Sequence, residues 1–167
     1  MAKGGRPYKV HEDLNQLRSL IMNGDKLQIE NIITTHGIEA FDRHKRTSII
    51  WASFFEEIEI LKWLINKGAN VNHQDKIGYS CLHFCGQEHN LEAARILLEY
   101  GANPNILDEH DNSPLWTAIF NSKDRFDLIK LLRLNGADHK QKNKHGRSPN
   151  DLAISIYNKE IDELIKV

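Results

Sequence analysis

A short phrase that returns on a nearly fixed beat limits this chain more than any other feature. Gly68-Ala69-Asn70-Val71-Asn72 comes back 33 residues later as Gly101-Ala102-Asn103-Pro104-Asn105, and 35 residues after that as Gly136-Ala137-Asp138. A second phrase keeps step with it: Thr47-Ser48-Ile49, Ser80-Cys81-Leu82-His83, Ser113-Pro114-Leu115-Trp116 and Ser148-Pro149-Asn150-Asp151, at intervals of 33, 33 and 35. Both phrases lengthen at the same point, so two extra residues lie between Leu115 and Gly136. The polar run Asn121-Ser122-Lys123-Asp124-Arg125 is their expected seat. Self-similarity at such a period marks architectures in which each unit buries its apolar side against the next.

Local chemistry assigns the two phrases to helix ends. A Ser or Thr hydroxyl can accept from the free amides of a first turn, and proline is tolerated at the first helical position. Gly68, Gly101 and Gly136 follow apolar helical runs such as Ile58-Glu59-Ile60-Leu61-Lys62-Trp63-Leu64-Ile65, where a left-handed residue stops a helix. Each unit is thus predicted to be two short helices and a projecting loop.

The period and the Ser-Pro-Leu-His-like marker resemble the ankyrin-repeat family from about Asp13 to the C-terminus. Gly78-Tyr79-Ser80-Cys81-Leu82-His83-Phe84-Cys85, followed by Leu91 to Leu98 and Gly101-Ala102, is the best copy. The resemblance implies an all-α solenoid of about five helix-turn-helix repeats with β-hairpin-like loops, at 13–41, 42–74, 75–107, 108–142 and 143–167. The first and last are degenerate, as suits terminal caps. Residues 1–12 read as a loose basic arm. In repeat two, Lys45 replaces the family's Gly, Ser48 its Pro and Ile50 its His, which points to a differently bent loop there.

Charge and composition exclude several functions. Lys and Arg number 22 against 23 Asp and Glu, for a net charge of -1, so no global field favours nucleic acid or an anionic membrane. The basic run Lys140 to Arg147 is interrupted as a phosphate track by an acidic neighbouring loop. No apolar run approaches the roughly 18 residues of a membrane span, and no apolar segment follows the basic start, so a cytoplasmic protein is expected. Cys81, His83 and Cys85 invite a zinc reading, but no second ligand pair accompanies them. The repeat register explains them as slots of the stack, and the resemblance gives His83 a hydrogen bond to the neighbouring loop. No phosphate-cradling loop, nucleophile elbow or His-Glu-x-x-His occurs. No enzyme activity, cofactor, metal site or small-molecule substrate is predicted.

The remaining expectation is another protein, bound along a concave groove by a chain that is monomeric when free. Carried onto this sequence, the family's contact positions fall at loop tips on Arg46, Lys76, Tyr79, Glu109, His110, Asn112, Lys144, His145 and Arg147. On first helices they fall on Phe54, Phe55, Glu88, Trp116 and Phe120. Phe54, Phe55, Tyr79 and Phe120 read as anchors at places the stack does not need to fill. Loop charge runs in blocks: +3 over Arg43–Arg46, −3 over Asp108–Asp111 and +4 over Lys140–Arg147. The chain begins with Met1 and ends within its last repeat, so a groove that masks its partner, as a stoichiometric inhibitor or regulator, is the expected mode. Stand-alone relatives of this kind include bacterial immunity proteins that neutralise a toxin. A scaffold joining two proteins is the alternative.

Overall fold

The computed structural model describes residues 11–166. After a 3-10 turn over Glu12–Gln16, the chain runs through five helix pairs: α1 (Leu17–Met22) with α2 (Lys26–His36), α3 (Ser48–Phe55) with α4 (Ile58–Asn66), α5 (Cys81–Glu88) with α6 (Leu91–Glu99), α7 (Pro114–Asn121) with α8 (Asp127–Leu134), and α9 (Pro149–Tyr157) with α10 (Ile161–Leu164). Each odd-numbered helix packs on the next odd-numbered one, and α4, α6 and α8 form a parallel outer row. Five repeats in two helical layers are thus in place. The arm expected over residues 1–12 lies, up to residue 10, outside the described residues. Among the described residues, no helix is long and apolar enough to cross a membrane.

The helix ends follow the sequence logic. Ser113 accepts from the Trp116 amide, and Pro114 and Pro149 occupy first turns. Ser148 and Asp151 cap each other's amides, as do Ser80 and His83. Gly68, Gly101 and Gly136 all take positive φ, and the amides of Ala69, Ala102 and Ala137 reach back to Leu64, Leu97 and Leu132. That bond pattern closes a helix with a left-handed residue. The insertion sits where the spacing placed it. Only His89 and Asn90 separate Glu88 from Leu91, whereas Ser122 to Arg125 separate Asn121 from the matching Phe126, with Lys123 and Asp124 both left-handed.

The core is the sum of the seams between repeats. Leu17, Ile21, Ile49, Leu61, Leu64, Leu82, Leu97, Leu115, Ile119 and Leu132 are buried along it. Polar ties reinforce each seam. Asn90 donates to the carbonyls of Ser53 and Phe54 at 2.9 and 2.7 Å, closing the end of α3 from the next repeat. Behind the helices runs a ladder of side chains: the Asn70 amide donates to Glu39, that of Asn103 to Asn72, and that of Asp138 to Asn105.

Candidate protein-binding surface

The loop tips are built on one recurring carboxylate or amide. Asp42, Asp75, Asp108 and Asn143 are buried, and one Oδ1 of each accepts the amides two and four residues on: His44 and Arg46, Ile77 and Tyr79, His110 and Asn112, His145 and Arg147. The tips then join backbone to backbone, Lys76 amide to His44 carbonyl, Glu109 to Ile77 and Lys144 to His110. Four loops thereby form one laced ridge. Short antiparallel bridges, Phe41 with Thr47 and Gln74 with Ser80, make the hairpin character real in two of them.

Repeat two corrects an expectation. Its loop is bent like the others, because Lys45 itself adopts φ 59°, beside 84° at Gly78, 60° at Asp111 and 71° at Gly146. The anchor Asp42 sets the turn, and the lysine accepts the left-handed conformation at a modest cost. What repeat two does lose is its cap. Ile50 offers no polar atom where His83 and Asp151 serve their repeats, and the Thr47 hydroxyl is left buried without a hydrogen-bond partner.

The anchors also reduce the charge blocks. Asp108 is spent on loop amides, and Asp42 accepts the indole N–H of buried Trp51 at 3.1 Å. Arg46 is likewise committed: its Nε donates to Asp75 Oδ2 at 3.0 Å, and its guanidinium lies over Trp51 and Phe84. Lys76, Glu88, Glu109, His110, Lys144, His145 and Arg147 are exposed, while Asn112 is half-buried and accepts Asn143 Nδ2.

Three of the expected aromatic anchors are partly buried and packed against the core. Phe54 meets Trp51, Phe55 and Phe84 edge-on, Phe55 stacks on Trp51, and Tyr79 stacks on His83 against the edge of Phe84. The premise that the stack leaves these positions empty therefore fails for Phe54, Phe55 and Tyr79. On α5 it is the rings of Phe84 and His83 that receive Phe54 and Tyr79. Trp116 is half-buried against the core as well. Phe120 differs. It stands at the end of α7 with 68% of its surface exposed, and Ile156, at the end of α9, is 46% exposed.

Cys81 and Cys85 are buried, and burial pushes the Cys81 thiol up to about 12 and the Cys85 thiol well above its ordinary range. Neither presents a thiolate near neutrality. His83 Nδ1 accepts the Ser80 amide at 3.1 Å within its own repeat, and Nε2 donates to the Asn112 carbonyl at 3.1 Å, so one ring nitrogen caps α5 and the other joins repeats three and four. Burial lowers its pKa. The unfolded chain therefore takes up this proton at a higher pH than the folded one. Stability contributed by neutral His83 is complete above the unfolded value of about 6.5 and falls as pH drops below it. His83→Asn is expected to flatten the stability profile between pH 7 and 5, read by urea denaturation; an unchanged slope would refute the assignment.

A stack of helix pairs faced by a laced ridge of loops defines a repeat solenoid with one long, shaped surface. The chain belongs to the ankyrin-repeat family: the family model described as ankyrin repeats in three copies matches residues 49–143. It is 32% identical over 128 residues to an ankyrin repeat protein of fowlpox virus, covering 74% of this chain and 37% of that one. Over 96 residues it is 34% identical to an ankyrin repeat protein of Acanthamoeba polyphaga mimivirus, covering 57% and 59%. With the E3 ubiquitin-protein ligase Ufd4 of Drosophila melanogaster it shares 31% over 143 residues, 79% of this chain and 5% of the ligase. The chain thus spans less than two thirds of each of these relatives. Ankyrin repeats are in general a non-catalytic module for protein–protein interaction.

Proposed function

We propose that this chain is a stoichiometric binder that inhibits or regulates one partner protein through the groove between its loop ridge and the exposed ends of α5, α7 and α9. The observation that carries the reading is Phe120, a large aromatic two-thirds exposed at the end of α7, on the row of first helices that the loop ridge leads into. Aromatic anchors ringed by polar contacts dominate interface energetics, and a preformed surface loses little entropy on binding. Around Phe120, Glu88 and Ile156 extend the floor, and Lys76, Glu109, His110, Lys144, His145 and Arg147 supply the rim. Rim charges of both signs set orientation and association rate. Phe54, Phe55, Tyr79, Trp116 and Arg46 support this surface from beneath. The proposal places the chain in the cytoplasm. Since the relatives named above come from two viruses and an insect, the toxin-neutralising form of the reading rests on the sequence resemblance alone.

Native capture from source lysate, followed by light scattering on the reconstituted complex and an assay of the captured partner, tests the proposal. A one-to-one complex with a silenced partner is expected. Phe120→Ala should weaken it about 30-fold, equivalent to about 2 kcal/mol. Full affinity in Phe120→Ala and Lys144→Ala, together with loss in Leu27→Ala or Leu134→Ala on the second helices, would move the interface to the other face. Two partners held at once would favour a scaffold.

A further inference from the structure

At the N-terminal cap, two imidazoles from distant parts of the chain converge on one carboxylate. His11 Nδ1 lies 2.9 Å from Asp13 Oδ1, and His36 Nε2 lies 2.7 Å from Asp13 Oδ2. The two rings sit 4.9 Å apart, and one donor atom from each of the three residues falls within 4.8 Å of the others. We propose that His11, Asp13 and His36 form a zinc site that clips the opening 3-10 turn to the end of α2.

The donor set suits the ion. Two imidazole nitrogens and a carboxylate oxygen are the ligands zinc takes, with a fourth position left for water. Bonds of about 2.0–2.2 Å require tetrahedral ligands roughly 3.4 Å apart. The Asp–His separations must then open by about half an ångström and the His–His separation must close. His11 can supply that motion, because its side chain is 71% exposed, while His36, at 18%, is held by its helix. A cleft of about 590 Å3 lined by His11, Leu14, His36 and residues 37–41 gives an ion a way in.

The electrostatics point the same way. His36 is in the last turn of α2, where unsatisfied carbonyls carry partial negative charge that favours a cation. Glu39 lines the same cleft, and its Oε2 is buried with no hydrogen-bond partner, His73 Nδ1 standing 3.5 Å away. Position gives the site a purpose. Among the described residues the first repeat is held to the stack through α1 against α3, and stability in a solenoid comes from such neighbouring contacts. A metal bond between residues 23 apart in sequence would hold the opening turn against α2. No short ligand motif announces such a cluster, since the fold and not the spacing assembles it.

Titration of zinc chloride into the full chain, after chelator treatment, tests the site by calorimetry. Cobalt(II) absorption reports coordination. One ion per chain is expected, with affinity falling at least about tenfold in His11→Ala, Asp13→Asn and His36→Ala, and unchanged in His139→Ala. Amide exchange in α1 and α2 should slow on adding zinc to the wild type but not to His11→Ala. Because His11 is exposed, that variant decides the question even if His36→Ala fails to fold. Absence of saturable one-to-one binding, or wild-type affinity in His11→Ala, overturns the proposal.

Discussion

Replacing Gly86 with valine is expected to lower the melting temperature by roughly 10 °C, for a loss of about 3 kcal/mol, and to split the unfolding transition in two. The reason is the approach of α5 to α7, the pair of helices in most extensive contact among the described residues. A Cβ built on Gly86 would lie 3.0 Å from the Ala118 amide nitrogen, 3.1 Å from the Pro114 carbonyl oxygen and 3.4 Å from the Ala118 Cα. All three are backbone atoms of α7, which no rotamer change can move. The matching positions carry Ser53 and Ile119, so the glycine answers this one seam and not the repeat pattern. Glycine inside a helix costs about 1 kcal/mol against alanine, and this helix carries it because the seam excludes a side chain. In a solenoid, stability is nearly a sum of repeats and nearest-neighbour interfaces. Forcing α5 from α7 should therefore uncouple repeats one to three from repeats four and five. Calorimetry checks both features. A single transition at the wild-type temperature would mean that α7 yields at little cost.

The helix starts and stops and the place of the insertion were legible, because each rests on a residue type with a conformational task. Ser-Pro opens a helix, glycine closes one, and a two-residue phase shift must go where the chain is free to bulge. The loops were less legible. Lys45 suggested a different bend, yet it adopts the glycine conformation because Asp42, nine residues before Trp51, fixes the turn through two amides and the indole. The recurring Asp42, Asp75, Asp108 and Asn143 keep the same 33, 33 and 35 spacing as the helix starts. That regularity could have marked them as anchors and not as surface charge.

The aromatic positions show a different limit. Phe54 and Phe120 occupy equivalent places at the ends of first helices, two repeats of 33 apart, so register cannot tell them apart, and Phe55 lies one position further on. What separates them is the neighbour each one faces. Phe54 finds Phe84 edge-on from α5, and Phe55 finds Trp51 with Arg18 over its ring, whereas Phe120 remains largely exposed. The same reasoning converts Arg46 from a rim residue into a structural one, a change that makes a sharp prediction.

Arg46→Met is expected to cost about 3 kcal/mol of stability while leaving the exposed rim unaltered. The Asp75 side chain is 1% exposed, so its charge has little access to water. Oδ1 is occupied by the amides of Ile77 and Tyr79, and Oδ2 has the guanidinium of Arg46 at 3.0 Å. Methionine preserves the stem that packs near Trp51 and Phe84 but removes the donor and the positive charge. A buried carboxylate stripped of one partner carries the cost of its desolvation. Asp75→Asn on the Arg46→Met background should recover part of the loss, because a neutral amide tolerates the site better. The double-mutant cycle, measured by urea denaturation, should show a coupling above about 1 kcal/mol. An Arg46→Met protein within about 0.5 kcal/mol of wild type, and impaired only in holding its partner, would return Arg46 to the interface. It would also show that the Asp75 loop keeps its shape through the amides of Ile77 and Tyr79 without Arg46.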